Sequence, residues 1–327
     1  MNKDEIQHVL DCYGISFEKI TKQIDSSRED DYRLNIVLDN QYVLRVNDKK
    51  AITEQRVATM ERLVTRYNAI GIYAPHYLKT KNGFFTVEFE DRVCYVSEYA
   101  DYPLASDLNL DEKFLRKQVV SHLGVLAKQY TDFDLIKERS AWSIIDLSPL
   151  DNEIDEKQEN LNSLVATLKE QYEEELAEKI IKFNEENRRA ISKAFHALPR
   201  CVFQGDLNDA NLLMKDESFF GIIDFNLSGT EVNINCFLAE SNSELLEDDF
   251  KNHSPKELLQ QKILEQDELM QIILKNYELN TVEKEVYENY RNIILISQYP
   301  NVCAYQFFLE SEYKDKMIEY LNLILER

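Results

Sequence analysis

Residues 201–213 read CVFQGDLNDANLL, and residues 219–229 read FFGIIDFNLSG. Each is a short apolar run that stops on a carboxylate, Asp206 in the first and Asp224 in the second. Burying such a charge is costly unless a cation or a set of hydrogen bonds offsets it. Asn211, five positions beyond Asp206, adds an amide to the same stretch. The chain has only seven glycines, yet Gly205, Gly221 and Gly229 fall together here, while none lies between Gly14 and Gly71. Where glycine is otherwise avoided, such a cluster predicts tight turns or close backbone approach. The pattern predicts two short strands and a loop, and something must offset the cost of the acids they carry.

The rest of the chain frames these segments. Ile6, Val9 and Leu10 have helical spacing over residues 2–13. From about 16 to 46 the pattern turns to strand: ISFEKITKQI, a polar turn, YRLNIVL, the hairpin signal DN, then QYVLRV. Residues 51–70 are predicted helical, with Val57, Met60, Val64 and Tyr67 on one face, and GFFTVEFEDRVCYVSEY supplies two more strands around Glu90-Asp91-Arg92. This predicts a five-stranded antiparallel sheet with one long helix after its third strand. Beyond ADYPLASDL the pattern is helical over roughly 111–130, 157–173 and 175–198, and again from about 255 to 326. The Glu- and Lys-dense stretches there are solvated helix faces. A chain of 327 residues accommodates two lobes, residues 1–100 and 101–327, with the seam near residue 100.

Composition narrows the partners. Sixty acids against 38 bases give a net charge of −22, which argues against nucleic acid or an anionic membrane as partner, since both need a basic footprint. No apolar run approaches the roughly 20 residues of a membrane span. The N-terminus MNKDEIQHVLDCYG carries acids and lacks a signal-peptide core, and the five scattered cysteines give neither zinc spacing nor a disulfide framework. A cytoplasmic protein is the expectation. The acidic balance either steers a cationic ligand or serves solubility alone.

QGDLNDANLL with GIIDF resembles the catalytic and metal loops of the aminoglycoside phosphotransferase and choline kinase family, relatives of the protein kinases. The resemblance covers most of residues 15–240 and implies an α+β, protein-kinase-like bilobal fold. Residues 1–100 would form the nucleotide-binding lobe, and residues 101–327 a larger, mainly helical lobe with the catalytic and metal loops. It implies an ATP- or GTP- and Mg²⁺-dependent kinase acting on a small hydroxylated, amine-bearing molecule. Asp206 then matches the catalytic base, and Asn211 and Asp224 the metal ligands. Arg45 in YVLRV takes the place of the phosphate-binding cation; Glu54 and Glu61 share one edge of the following helix, and Glu54 is preferred as its partner. Ser97, Glu98, Tyr99 and Ala100 stand where backbone groups would meet the base of the nucleotide.

Some positions depart from the family pattern. Gln204 replaces a His, and without glycine between the first two strands phosphate contact there rests on DSSRE, with Ser26 and Ser27 as candidates. After Asp224, the sequence offers Thr230, Glu231 and Asn235 instead of a further Asp. These departures support an alternative, a catalytically silent kinase-like nucleotide-binding protein. Asp209 and the run AESNSELLEDDF, with Glu240, Glu244, Glu247, Asp248 and Asp249, form either an acidic acceptor surface or a solvated helix end.

Overall fold

A computed structural model describes residues 1–28, 31–49, 52–146 and 153–327. The chain runs α1 (Lys3–Tyr13), β1 (Ile20–Asp25), β2 (Arg33–Leu38), β3 (Tyr42–Asp48), α2 (Glu54–Ala69), β4 (Thr86–Phe89) and β5 (Arg92–Glu98). Then follow α3 (Glu112–Tyr130), α4 (Glu156–Glu170), α5 (Glu174–Ala194), β6 (Arg200–Phe203), β7 (Leu212–Lys215), β8 (Ser218–Ile222) and β9 (Gly229–Val232). Six helices close it: α6 (Asn233–Glu240), α7 (Glu247–Asn252), α8 (Pro255–Leu274), α9 (Thr281–Ser297), α10 (Tyr299–Leu309) and α11 (Lys314–Leu325). Two compact units result, Met1–Leu110 with Asp206–Asn226, and Asp111–Gly205 with Leu227–Arg327.

In the first unit the strands form one antiparallel sheet in the order β1-β2-β3-β5-β4, with α2 after the third strand as the sequence predicts. Asp39 and Asn40 take φ of 52° and 54°, the left-handed pair that a two-residue hairpin between β2 and β3 needs. The first strand begins later than its alternating pattern suggests. Asp39 accepts the amides of Glu18 and Lys19, so those residues serve the hairpin turn and β1 opens only at Ile20. A capping box of Asn2 and Glu5 starts α1 and left-handed Gly14 ends it. Its Ile6, Val9 and Leu10 pack on Leu34, Ile36, Leu44, Val46 and Val96 of the sheet.

The second unit is helical around a core from α4, α5 and α7–α11, in which Phe250, Tyr305, Phe308 and Tyr320 are fully buried. α5 buries Leu176, Ala177, Ile180 and Ile191 along one side, leaving its charges on the other as expected. No helix of the described residues is long and apolar enough to cross a membrane, and all five cysteines are free.

Two residues of α3 yield measurable consequences. Glycine inside a helix usually costs about 1 kcal/mol against alanine, so Gly→Ala usually stabilises. At Gly124 a Cβ would lie 2.1 Å from the Ile273 carbonyl oxygen, which reverses the sign. Gly124→Ala is expected to lose about 1–3 kcal/mol by urea denaturation; a gain would contradict this helix contact. On the same helix, burial pushes His122 down to about 4 from its ordinary 6.5. The imidazole is neutral when folded and takes a proton near pH 6.5 when unfolded. Its contribution is therefore present above pH 6.5 and lost as pH falls through about 4. His122→Leu should flatten the decline of melting temperature across that window.

Candidate active site

Gly205 fixes how the chain reaches Asp206. Its φ is +84°, and a Cβ there would lie 2.5 Å from the Leu227 carbonyl oxygen, so only glycine fits. Its own carbonyl accepts the indole N–H of Trp142. Trp142 in turn sits on a loop held by the residues after Asp224. Thr230 Oγ1 accepts Ile136 N–H at 3.2 Å and donates to Ile136 O at 3.0 Å. Glu231 accepts Ser143 Oγ at 3.0 Å, and Asn235 donates to Trp142 O at 3.1 Å. Burial pushes the Glu231 carboxyl up, against the hydrogen bonds it accepts. Thr230, Glu231 and Asn235 thus hold the Trp142 loop, and Gln204 is fully buried beside Gly205 in sequence.

Within the first unit, Asp206, Asn211 and Asp224 are tied by short bonds. Asp206 Oδ1 accepts Asn208 Nδ2 at 2.7 Å and Oδ2 accepts Asn211 Nδ2 at 2.9 Å. Asn208 also closes the turn, accepting Ala210 N–H at 3.0 Å and, on its carbonyl, Asn211 N–H at 2.8 Å. The Asn211 carbonyl accepts Ile223 N–H at 2.9 Å, next to Asp224. The β7–β8 hairpin, with Leu212 opposite Ile222, holds both ends of this link. β8 itself docks on Tyr73 through Ile222 N–H at 2.8 Å, where a Cβ on Gly221 would lie 2.3 Å from the Tyr73 oxygen. Asp224 has φ 57°, which costs a non-glycine residue about 1–3 kcal/mol, and its Oδ1 accepts Asn226 N–H at 3.1 Å.

The cation and its expected partner part company. Arg45 donates to Ser97 Oγ at 2.6 Å and lies 5.8 Å from the ring centres of both Tyr77 and Tyr95. Glu54 instead accepts Phe85 N–H at 3.0 Å, Thr86 N–H at 2.9 Å and Thr86 Oγ1 at 2.8 Å. The Arg45–Glu54 ion pair expected from the sequence does not form. The register explains it: Thr86 faces Tyr95 and Tyr95 faces Arg45. The β5 strand at Tyr95 separates Arg45 from Thr86, which binds Glu54, by two strand spacings, about 10 Å. Glu61 is likewise engaged, with His76 Nδ1 at 2.8 Å and Tyr77 N–H at 2.8 Å.

Of the four residues expected to meet the nucleotide base, three have their groups in use. Ser97 lies in the β3–β5 ladder, Glu98 N–H goes to His76 O at 2.9 Å, and Tyr99 N–H goes to Gln41 O at 2.8 Å. Ala100 N–H makes no hydrogen bond among the described residues. Ser27 Oγ accepts Arg33 N–H at 3.0 Å and Ser26 N–H donates to Arg33 O at 2.9 Å, so these serines close their own turn. Glu29 of that stretch lies outside the described residues.

A family model for the phosphotransferase enzyme family matches residues 21–231. The chain belongs to that family. Curated protein sequences give no match. Among solved structures, amicoumacin kinase hAmiN with AMP-PNP, Ca²⁺ and Ami is similar at a TM-score of 0.53 and 11% identity, covering 100% of this chain and 94% of that one. The microcompartment-associated aminopropanol kinase has a TM-score of 0.53 and 12% identity, covering 99% and 95%. Spectinomycin phosphotransferase APH(9)-Ia, in complex with ADP and spectinomycin, has a TM-score of 0.51 and 12% identity, covering 100% and 97%. At these identities the likeness is one of fold, and the expected kinase-like fold is the one observed. Family membership makes the chain a small-molecule phosphotransferase.

Sequence reasoning passed over two residues near this site. Trp142 is the only tryptophan in the chain, and that rarity was its one signal. Arg56 stands in the first turn of α2, where the helix dipole disfavours a cation. The acidic run downstream is largely neutralised within the second unit. Asp249 pairs with Lys262 at 3.2 Å, and Glu247 and Asp248 pair with Lys251 at 2.9 and 3.4 Å. Glu244, Asp249 and Lys262 line a cavity of about 740 Å³ together with Arg116 and Glu265. There Lys113 and Gln261 hold Glu265 at about 2 against the upward push of burial.

As Trp142 is the sole tryptophan, its emission reports the Gly205 contact. Gly205→Ala should shift that emission and cost about 1–3 kcal/mol of stability. An unchanged spectrum and melting curve would show that the loop does not need its glycine.

Proposed function

We propose that this chain transfers the γ-phosphoryl group of ATP or GTP, with Mg²⁺, to a hydroxyl of a small amine-bearing molecule. The observation that carries the reading is the Asn211 side chain. Its nitrogen is spent on Asp206, at 2.9 Å, while its Oδ1 accepts no hydrogen bond among the described residues. An all-oxygen donor set of Asn211 Oδ1 and the Asp224 carboxylate suits Mg²⁺, a hard ion that otherwise keeps water and phosphate oxygens. Bound there, the ion would neutralise charge on the transferring phosphates.

The remaining roles follow from this chain's own groups. Asp206, aimed by the amides of Asn208 and Asn211, orients the acceptor hydroxyl and takes its proton. Among the described residues the Arg45 guanidinium donates one hydrogen bond, to Ser97 Oγ, so most of its fork remains for the α- and β-phosphates. Its aromatic neighbours do not oppose that charge, since burial pushes both phenols up, Tyr95 to about 12. Ala100 offers its amide and carbonyl to the base. For the acceptor, support comes from aminopropanol, the substrate named for one structural relative, and from the net charge of −22.

One observation favours a second reading, a nucleotide-binding protein without turnover: among the described residues Arg45 has no carboxylate partner of the kind that kinase logic supplies. Thermal shift and turnover together decide between them. Millimolar ATP or GTP with Mg²⁺ should raise the melting temperature, and no rise with either would end the nucleotide assignment. Asp206→Asn should keep that shift and lower turnover roughly 10²- to 10⁴-fold, whereas Asp224→Asn should lose the Mg²⁺-dependent part of binding. Equal loss of binding in both variants would contradict the division of roles. A shift without turnover on aminopropanol, spectinomycin or amicoumacin would favour the silent reading for these acceptors.

A further inference from the structure

Arg56 reaches the Asp224 turn. From the first turn of α2 its Nη2 donates to Asn226 O at 2.7 Å and approaches Phe225 O at 3.5 Å. These carbonyls belong to the two residues directly after Asp224. Asn226 is therefore held through both its polar backbone groups, its N–H on Asp224 Oδ1 at 3.1 Å and its C=O on Arg56. Arg56 and Asp224 also both act on the buried Tyr77 and Tyr95 phenols, as Arg45 does, so the three charges share one neighbourhood. Glu54, two residues before Arg56, is meanwhile committed to Phe85 and Thr86.

We propose that Arg56 is a positioning residue for Asp224. A charge-assisted fork of hydrogen bonds, both from the single nitrogen Nη2, onto the Asn226 and, more weakly, the Phe225 carbonyl fixes the peptide planes that follow Asp224, and so keeps Asp224 at φ 57° with its carboxylate presented for the metal. In this chain the helix acts on the metal turn through a cation and backbone carbonyls, while Arg45 is oriented by Ser97 and two tyrosines. The strain of the left-handed aspartate gives the fork something to oppose: without it, the turn relaxes toward ordinary backbone. The role of the metal rests on the phosphotransfer reading above; the hold on the turn does not.

The test uses the full chain and the variants Arg56→Gln and Arg56→Lys. Hydrogen exchange is followed at the amides of residues 224–226 without ligand, and ATP affinity is measured with and without Mg²⁺. Arg56→Gln should speed exchange and weaken the Mg²⁺-dependent affinity about tenfold, the worth of one charge-assisted hydrogen bond. Its Mg²⁺-free affinity should stay as in the natural chain, and Arg56→Lys should fall between the two. Natural-like exchange and Mg²⁺ dependence in Arg56→Gln would overturn the proposal, as would equal loss of affinity with and without the ion. If Arg56→Gln does not fold, Arg56→Lys decides by the same two measurements. If the natural chain binds no nucleotide, the phosphotransfer reading falls, and exchange alone still decides whether Arg56 holds the turn.

Discussion

Among the described residues Asn211 makes four hydrogen bonds in three directions, and the site is organised around them. Its Nδ2 goes to Asp206 and its N–H to Asn208, while its carbonyl receives Ile223 N–H. The first aims the acid, the second closes the loop, and the third ties that loop to the strand that ends at Asp224. Only an amide satisfies this position. It donates to one carboxylate and, in the proposed role, keeps an oxygen for a cation; among side chains of this length only Asn does both. An aspartate here would place like charges about 3 Å apart and force one to take a proton.

The cost of placing acids at the ends of apolar strands is met locally. Asp206 accepts two side-chain amides and Asp224 a backbone N–H, so each carboxylate is at least partly solvated by the chain. Support then extends outward through the backbone. The second unit grips Gly205 through Trp142, and Trp142 through Asn235. That chain of contacts explains why residues after Asp224 can lack a further Asp without being idle: Thr230 and Glu231 hold the loop that carries the indole.

Much of this was legible in the residues, for identifiable reasons. The hairpin dipeptide Asp39-Asn40 and the alternation around it marked β2 and β3 because the turn itself demands left-handed backbone. The glycine cluster marked close approach, and the nearest contact at each of Gly205, Gly221 and Gly229 is a backbone atom, 2.5, 2.3 and 2.5 Å from a Cβ position. What escaped was register. The alternation of residues 16–19 looked like strand, yet Asp39 claims two of those amides across 20 and 21 positions. The Arg45–Glu54 pairing failed for the same reason, because one sequence cannot show that the strand bound by Glu54 lies two strands from Arg45. Arg56 was hidden differently: a cation in a first turn reads as an unfavourable surface charge until its tertiary acceptors are seen.

Arg45 also reconciles an acidic chain with the proposed anionic donor. A net charge of −22 would repel a nucleoside triphosphate if it acted at full range. At physiological ionic strength, however, the Debye length is about 8 Å, so the distant acids are largely screened and the nearest charges dominate. Near the proposed site these are the carboxylates Asp206 and Asp224, which the proposed Mg²⁺ would offset, and Arg45, which lies 5.8 Å from the Tyr77 and Tyr95 ring centres and is not neutralised by Glu54. The carboxylate that kinase logic would pair with Arg45, that of Glu54, instead binds Phe85 and Thr86, where it holds β4. Its absence from Arg45 leaves that guanidinium's charge available to phosphate, so the missing ion pair is consistent with nucleotide binding even in a strongly acidic protein.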